Sequence, residues 1–328
     1  MKESFELKNF KQKIIWSIVA SVVIYLGFSI YADLDKVAQA LAGFSLWLVP
    51  VILLLVFSNY VFRFLKWHYY LGLIDVRIGA GESFLIFLSG FVLSVTPGKM
   101  GEVLKSFLLK ERYGVPVART APVVFAERVT DMTALMLIAL AGAYSFNYGR
   151  VFAVGAIFGF VVMIFVISHR GIALKTIGIL SRINFLKRSI PHITELYESA
   201  YTLLKPKPIF LMTILSLVSW FFECYAYFLI LKDFSVDISL FRSSFFYSFA
   251  TVAGALSFLP GGLGAADALF TLFIRSLGQS EAVAVSSTIL IRVATLWFAV
   301  LVGLVAFALF QRRSGIIDLN KLNEKEVN

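Results

Sequence analysis

Two arginines in apolar sequence are the strongest candidates for binding chemistry in this chain. Arg128 lies 31 residues after Pro97, and Arg292 lies 32 residues after Pro260. A charge inside a membrane span costs about 2.5–3.5 kcal/mol on insertion scales, so charges there usually serve a function. A guanidinium group matches phosphate oxygens with two parallel hydrogen bonds. We therefore predict that both arginines line a central cavity and bind an anionic headgroup.

Acidic side chains accompany both arginines. Asp131 shares a helix face with Arg128 and with Glu127, because residues three and four apart are neighbours on a helix. Such carboxylates could balance the arginines, bind a cationic headgroup or carry a coupling proton, and the sequence leaves these roles open. The structural alternative is that each arginine simply pairs with a nearby carboxylate. The acidic candidates are Glu102, Glu127, Asp131, Glu223 and Asp267.

A nine-residue pattern, L-S-x-x-P-G-x-x-G, occurs at 93–101 and again at 256–264. Proline and glycine break helices, and a broken helix persists in lipid only where protein or a wet cavity surrounds it. Matching breaks in two halves of a chain are typical of a transporter's binding site. Half-helix N-termini after the breaks would add backbone N–H groups to an anion site. The predicted site therefore includes Pro97, Gly98, Gly101, Pro260, Gly261 and Gly264.

The composition is that of a membrane protein. The chain is 59% hydrophobic and 15% charged, with a mean hydropathy of +0.85, whereas soluble domains carry about 25% charged residues. One cysteine and three scattered histidines form no pattern of metal ligands. The sequence also lacks a P-loop and a catalytic triad pattern. We therefore predict no metal, no cofactor and no catalytic residue, and we attribute the net charge of +10 to membrane topology rather than to nucleic-acid binding.

The elements that must position these residues are apolar helices, since about 20 apolar residues span a bilayer. Candidate spans lie at about 14–31, 46–65, 119–146, 150–168, 209–231 and 284–310, and the breaks lie in longer regions at 82–109 and 240–277. We predict an all-α polytopic membrane protein with about six spanning helices and two re-entrant pairs of half-helices. Residues 1–168 would form the first helix and first repeat, 169–208 a cytoplasmic amphipathic linker, 209–312 the second repeat and 313–328 a tail, all in one membrane domain.

The basic residues indicate the orientation. With the N-terminus inside, the inner segments carry 23 of the 30 Lys and Arg residues and the outer segments carry 5. The positive-inside rule then places both termini in the cytoplasm, in the cell (inner) membrane. An odd number of crossings separates equivalent points of the two halves, which predicts inverted repeats related by a pseudo-two-fold axis in the membrane plane. Charge alone does not separate re-entrant pairs from crossing pairs.

Three runs of sequence resemble the lysylphosphatidylglycerol synthase transmembrane, or flippase-like, domain family: Thr96–Ser106, Ala126–Asp131 and Leu259–Asp267. The resemblance covers most of residues 10–312. In the multiple peptide resistance factor, a domain of this type is fused to a C-terminal synthase that adds an amino acid to phosphatidylglycerol, and the membrane domain is assigned the flipping of the product. Only a short tail follows the last predicted helix of this chain, so we expect no aminoacyltransferase activity.

The resemblance implies that the residues of the two breaks, with Glu102, Arg128, Asp131, Asp267 and Arg292, form a substrate path. Other stand-alone relatives belong to polyprenyl-phosphate sugar or hopanoid pathways, so the lipid class stays open. We expect a flippase whose partner is a membrane lipid with an anionic or lipid-phosphate headgroup, and a homo-oligomer is compatible with the sequence. Two alternatives remain: a membrane enzyme acting on lipid headgroups with Glu127 or Asp131 as acid or base, or a scaffold for a lipid or glycan biosynthetic enzyme.

Overall fold

The structure, a computed structural model, describes residues 34–95, 102–143, 169–180 and 200–314, with isolated positions between 158 and 198. Wherever these residues form regular secondary structure, they are helical. The predicted all-α fold is therefore confirmed for the described residues. The candidate span at 14–31, nearly all of that at 150–168 and residues 181–193 of the predicted linker lie outside the described residues.

The helices are α1 (Leu34–Ala42), α2 (Leu48–Leu73), α3 (Ala80–Ser89), α4 (Leu104–Tyr113), α5 (Val117–Ala143), α6 (Arg170–Leu180), α7 (Pro206–Asp233), α8 (Leu240–Leu256), α9 (Ala265–Arg275), α10 (Glu281–Arg292) and α11 (Phe298–Ser314). A 3₁₀ turn, Gly90–Leu93, extends α3, and a π turn, Val293–Trp297, joins α10 and α11 into one rod. Helices α2 and α7 and the rod formed by α10 and α11 are each long and apolar enough to cross a bilayer.

Helix α2 continues past the predicted boundary at Leu65 and ends at Leu73. Arg63 and Lys66, which the topology count places in an inner segment, therefore lie within the helix and are buried. The prediction was wrong here because a hydropathy window ends at the first charges. It does not register that carboxylates on other helices stabilise those charges in the interior.

Helices α2–α5 and α7–α11 are two copies of one arrangement. Asp75 and Ser235 follow the first helix of each copy, and both adopt a left-handed backbone with φ of 54° and 57°. In both turns the next residue's N–H donates to the carbonyl five residues earlier at 3.0 Å. Gly114, before α5, and Gly278, before the rod that begins with α10, both adopt a left-handed backbone. The repeat predicted from the sequence is therefore present in the backbone.

The two copies are related by an approximate two-fold axis. Ser45 N–H, before α2, donates to the Asp233 carboxylate at the end of α7 at 2.8 Å. Lys66, late in α2, donates to Ser216 Oγ, early in α7, also at 2.8 Å. The first helices of the two copies thus run antiparallel, and the axis that relates them is perpendicular to both. If these helices cross a bilayer, the repeats have inverted topology.

Each broken region is a hairpin of two short helices. Arg112 Nε, at the end of α4, donates to Glu82 Oε1, at the start of α3, at 3.0 Å. In the second half, the rings of Phe246 in α8 and Phe273 in α9 stack with centroids 4.6 Å apart. The 10 residues of α4 and the 11 residues of α9 reach only about 15 Å at 1.5 Å per residue. This length is about half the thickness of a bilayer core of about 30 Å.

The two halves interlock through close backbone contacts. The rod of the second half packs on α3 and its 3₁₀ turn, where a Cβ added to Gly303 would lie 2.5 Å from Val92 N. Reciprocally, α5 of the first half packs on α8, where a Cβ added to Gly142 would overlap the carbonyl oxygen of Phe241. Small residues allow such close approach of helices in membranes. The two halves are therefore in direct backbone contact at both places.

Candidate functional site

A cavity of about 70 Å³ lies between the two halves. Its charged lining comes from both copies: Arg63 and Glu102 from the first, Glu223 and Arg292 from the second. Aromatic side chains supply much of the remaining wall, namely Tyr60, Phe91, Trp220, Tyr247 and Phe270. The volume is sufficient for a few water molecules.

Arg63 is fixed by aromatic rings and a carboxylate. Its guanidinium carbon lies 5.3 Å from the ring centroid of Phe91 and 5.7 Å from that of Trp220. Its Nη2 lies 3.4 Å from Glu102 Oε1. Its buried Nε has no hydrogen-bond partner among the described residues, and the nearest carboxylate oxygen, on Asp131, lies 3.7 Å away. Cation–π contacts thus hold a cavity-lining guanidinium that retains an unused donor.

Arg292 ties the last helix of the second half to the second break. Its Nε donates to Asp267 Oδ1 at 2.5 Å, and its two terminal nitrogens donate to Gly261 O at 3.4 Å and Gly262 O at 3.2 Å. Both glycines have positive φ, 60° and 68°, which other residues rarely adopt. The fork of donors on one guanidinium therefore fixes a turn that only glycine forms easily.

Asp267 joins this arrangement from the first turn of α9. Its Oδ2 accepts a hydrogen bond from Gly264 N at 2.8 Å, and its Oδ1 accepts one from Arg292. Pro260 opens the short 3₁₀ turn before it. The sequence predicts free N–H groups for substrate after this break. In the structure the N–H of Gly264, the residue before the helix, is bound by Asp267. The N–H groups of the first helical turn, 265–267, lie beyond it, and their role in binding stays a prediction.

The first half holds a network of seven charged side chains, of which six are buried and the seventh, Arg128, is half-buried. Arg128 Nη2 lies 2.9 Å from Glu102 Oε2 and 3.1 Å from Asp131 Oδ2. Lys105 Nζ lies 2.6 Å from Glu127 Oε2. Arg128 therefore pairs with two of the predicted carboxylates, and its side chain does not line the cavity. The members are Arg63, Lys66, Glu102, Lys105, Glu127, Arg128 and Asp131.

Lys66 links this network to the second half. Its ammonium pairs with Asp131, donates to Thr130 Oγ1 at 3.2 Å and Glu127 O at 3.3 Å, and reaches Ser216 Oγ on α7 at 2.8 Å. Sequence reasoning missed Lys66, together with Arg63 and Lys105. The sequence does contain a signal for Lys66. It lies three residues after Arg63 and four before Tyr70, so the three share a helix face, and all three are buried in the structure.

Glu223 lies midway along α7 and is buried at the cavity wall, where the Tyr247 hydroxyl donates to it. Sequence reasoning selected Glu223 and missed Tyr247, which belongs to the helix before the second break. Glu223 is as far from Arg63 along the chain as Ser235 is from Asp75, so the two residues occupy equivalent positions of the two copies. These equivalent positions place opposite charges in one cavity.

The family model described as lysylphosphatidylglycerol synthase TM region matches residues 17–303. The chain belongs to this family. The three sequence runs that resemble the family fall on the two breaks and on the middle of α5. Pro97, Gly98 and Gly101 of the first break lie outside the described residues.

Several UPF0104 membrane proteins are similar to this family member over most of their own length. One from Methanocaldococcus jannaschii is 22% identical over 90% of this chain and 94% of its own length. A second protein of that description and organism is 24% identical over 68% of this chain and 95% of its own. One from Methanothermobacter thermautotrophicus is 22% identical over 91% of this chain and 96% of its own. The comparisons support a multi-pass membrane protein.

Within this family member, the described residues contain no cluster of three or more His, Cys, Asp or Glu side chains placed to hold a metal ion. The polar groups of the interior are instead arranged as ion pairs and as donors toward the cavity. Such an arrangement can bind and release a charged group without covalent chemistry.

Proposed function

We propose that this chain is a lipid flippase, which moves a lipid with a phosphate-containing headgroup between the two leaflets. The observation that carries the proposal is the position of Arg63 and Arg292, one from each half, in the wall of one cavity. Guanidinium groups bind phosphate oxygens through paired hydrogen bonds. A headgroup held between the halves stays bound while the halves move relative to each other.

The symmetry of the chain supports alternating access. Antiparallel halves present the same hairpin to opposite sides, so closing one side and opening the other are equivalent movements. The hairpins, α3 with α4 and α8 with α9, are then re-entrant, the first from the cytoplasmic side and the second from the outside. The cavity of about 70 Å³ corresponds to the closed state between these movements.

The orientation follows from the basic residues. When Arg63, Lys66 and Lys105 are set aside because they are buried in the interior, the inner segments still carry 20 of the Lys and Arg residues against 5 outside. This asymmetry supports cytoplasmic termini in the cell membrane. The family's description associates it with lysylphosphatidylglycerol synthesis, which favours a phospholipid substrate. In the proposal the chain transports without changing the lipid covalently, and a lipid-modifying or glycan biosynthetic enzyme is its functional partner.

The test is translocation in proteoliposomes that contain a fluorescent phosphatidylglycerol in both leaflets. An impermeant reductant bleaches only the outer leaflet, so translocation appears as bleaching of the inner pool. Arg63→Gln and Arg292→Gln should each slow it about tenfold or more, since a hydrogen bond to a charged group contributes about 1.5–3 kcal/mol. Arg77→Gln, in an exposed loop, is the matched control. Wild-type liposomes that bleach no faster than protein-free ones would refute the proposal.

A further inference from the structure

The charges that surround the cavity are balanced. Among the described residues, the network of the first half, the cavity wall and Asp267 together contain five basic and five acidic side chains. The basic members are Arg63, Lys66, Lys105, Arg128 and Arg292, and the acidic members are Glu102, Glu127, Asp131, Glu223 and Asp267. An uncompensated charge in a low-dielectric interior is strongly unfavourable. A lipid phosphate that enters adds one negative charge, and the balance is restored if one carboxylate takes up a proton at the same time.

Two carboxylates line the cavity where the phosphate would bind, Glu102 and Glu223. Glu102 contacts both Arg63 and Arg128, at 3.4 and 2.9 Å, so protonation would weaken two ion pairs at once. Glu223 accepts a hydrogen bond from the Tyr247 hydroxyl. This bond survives protonation, because a neutral carboxyl group still accepts at its carbonyl oxygen. Glu223 therefore keeps its described hydrogen bond when it takes up a proton, whereas protonation of Glu102 weakens two described ion pairs.

The charged and titratable groups around Glu223 come from the helices packed beside it and from across the cavity. Among the described residues they include Tyr60 and Arg63 of α2, Tyr247 of α8, Arg292 of α10, Cys224 of α7 itself and, on the opposite wall, Glu102. In the empty cavity the two arginines stabilise the ionised carboxylate. A phosphate group that binds these arginines offsets their positive charge. The ionised carboxylate beside them is then less stabilised, and it gains a proton.

We propose that Glu223 takes up one proton for each anionic headgroup that enters the cavity, so that transport is coupled to protons. The inference rests on the proposed flippase function and specifies its coupling ion. A sodium ion is the competing choice, but the Tyr247 hydroxyl already donates to Oε2, one of the two carboxylate oxygens that such an ion would need.

The experiment measures proton uptake on lipid binding to the purified chain in detergent. The probe is dioctanoyl phosphatidylglycerol, which carries one negative charge, and a pH indicator in weak buffer counts the protons. We expect about one proton per bound lipid and a dissociation constant that rises about tenfold per pH unit above the point where free Glu223 ionises. Dioctanoyl phosphatidylcholine carries its own cation and should bind without proton uptake.

Glu223→Gln mimics the protonated state. It should bind phosphatidylglycerol at alkaline pH at least as tightly as the wild type, take up no proton and show no pH dependence. Glu111→Gln, an exposed change on α4, should behave as the wild type. Melting temperatures of both variants, with and without lipid, establish that they are folded.

The alternatives give distinct results. Wild-type binding without proton uptake, or binding that requires sodium at constant pH, would overturn the coupling and leave the flippase function intact. Glu223→Gln that still takes up a proton, or that fails to bind, would overturn the assignment to Glu223. Absence of binding by either lipid at any pH, together with absence of translocation, would remove both proposals.

Discussion

Asn59 and Ser219 hydrogen-bond to each other's backbone where α2 crosses α7. Asn59 Nδ2 donates to Ser219 O at 3.0 Å, and Ser219 Oγ donates to Asn59 O at 3.3 Å. Their separation along the chain equals that of Asp75 and Ser235, the turns that follow these two helices. Each is therefore the repeat equivalent of the other, and the two-fold axis passes between them. Since Arg63 and Glu223 follow one helical turn later, the axis and the cavity share one region of the interior.

The first prediction concerns this crossing. Asn59→Leu removes the donor to Ser219 O and leaves that buried carbonyl without its side-chain partner, which costs about 1–3 kcal/mol. We expect a clearly lower melting temperature in detergent. Ser219→Ala removes only the longer of the two bonds and should lower it less. Equal melting temperatures for Asn59→Leu and the wild type would show that the crossing is held by apolar packing alone.

The second prediction concerns the buried charge network. Lys66→Met leaves Asp131 without its shortest ion pair, and loss of one partner from a buried pair costs about 3–5 kcal/mol. Lys110→Met changes an exposed lysine on α4 and should have little effect. We expect Lys66→Met to unfold at a much lower temperature or denaturant concentration than Lys110→Met. If the two variants unfold together, the network contributes little to stability.

The sequence predicted much of this interior because its strongest signals are local. The proline–glycine breaks predict two hairpins, and both are observed where the residues are described. Arg128 and Arg292 are separated by as many positions as Gly114 and Gly278, so their predicted equivalence is confirmed by the register of the turns. Their roles nevertheless differ, since Arg292 holds a turn at the cavity wall and Arg128 joins a network beside the cavity.

The remainder was hidden because it depends on contacts between distant segments. Arg63, Lys66 and Lys105 interrupt the apolar sequence, so the topology count assigns them to cytoplasmic segments. Their burial is stabilised by carboxylates that lie 22 to 65 residues away along the chain. A sequence window of helix length does not contain both members of such a pair. Only the arrangement of α2, α4 and α5 brings them together.

The third prediction concerns the interlocking of the halves. A Cβ at Gly303 would lie 2.5 Å from Val92 N, a backbone atom that cannot move without shifting the 3₁₀ turn. Gly303→Ala should therefore lower the melting temperature strongly and slow translocation. Gly81→Ala is the matched control, because its added Cβ meets no atom within 4 Å and alanine favours the helix by up to about 1 kcal/mol. A Gly303→Ala protein that melts with the control would contradict the close backbone packing.

The fourth prediction separates the charge of Arg292 from its shape. Arg292→Lys keeps a positive charge for Asp267 but loses the fork that reaches the carbonyls of Gly261 and Gly262. We expect translocation to fall while the chain stays folded, because the second break loses its fixed turn. Arg312→Lys, exposed near the end of α11, should leave the rate unchanged. Full activity in Arg292→Lys would show that charge alone is sufficient.

The fifth prediction tests whether the cavity opens to both sides of the membrane. Replacing the single native cysteine, Cys224, by alanine gives a background in which Ser94→Cys places one thiol in the cavity wall. If the halves alternate, an impermeant thiol reagent should modify it when added to either side, faster with phosphatidylglycerol present. Glu111→Cys and Ser276→Cys, both exposed at hairpin ends, should react only from the cytoplasmic and only from the outer side. If both controls react as expected but Ser94→Cys is modified from one side alone, the cavity opens to that side only. That result would exclude alternating access.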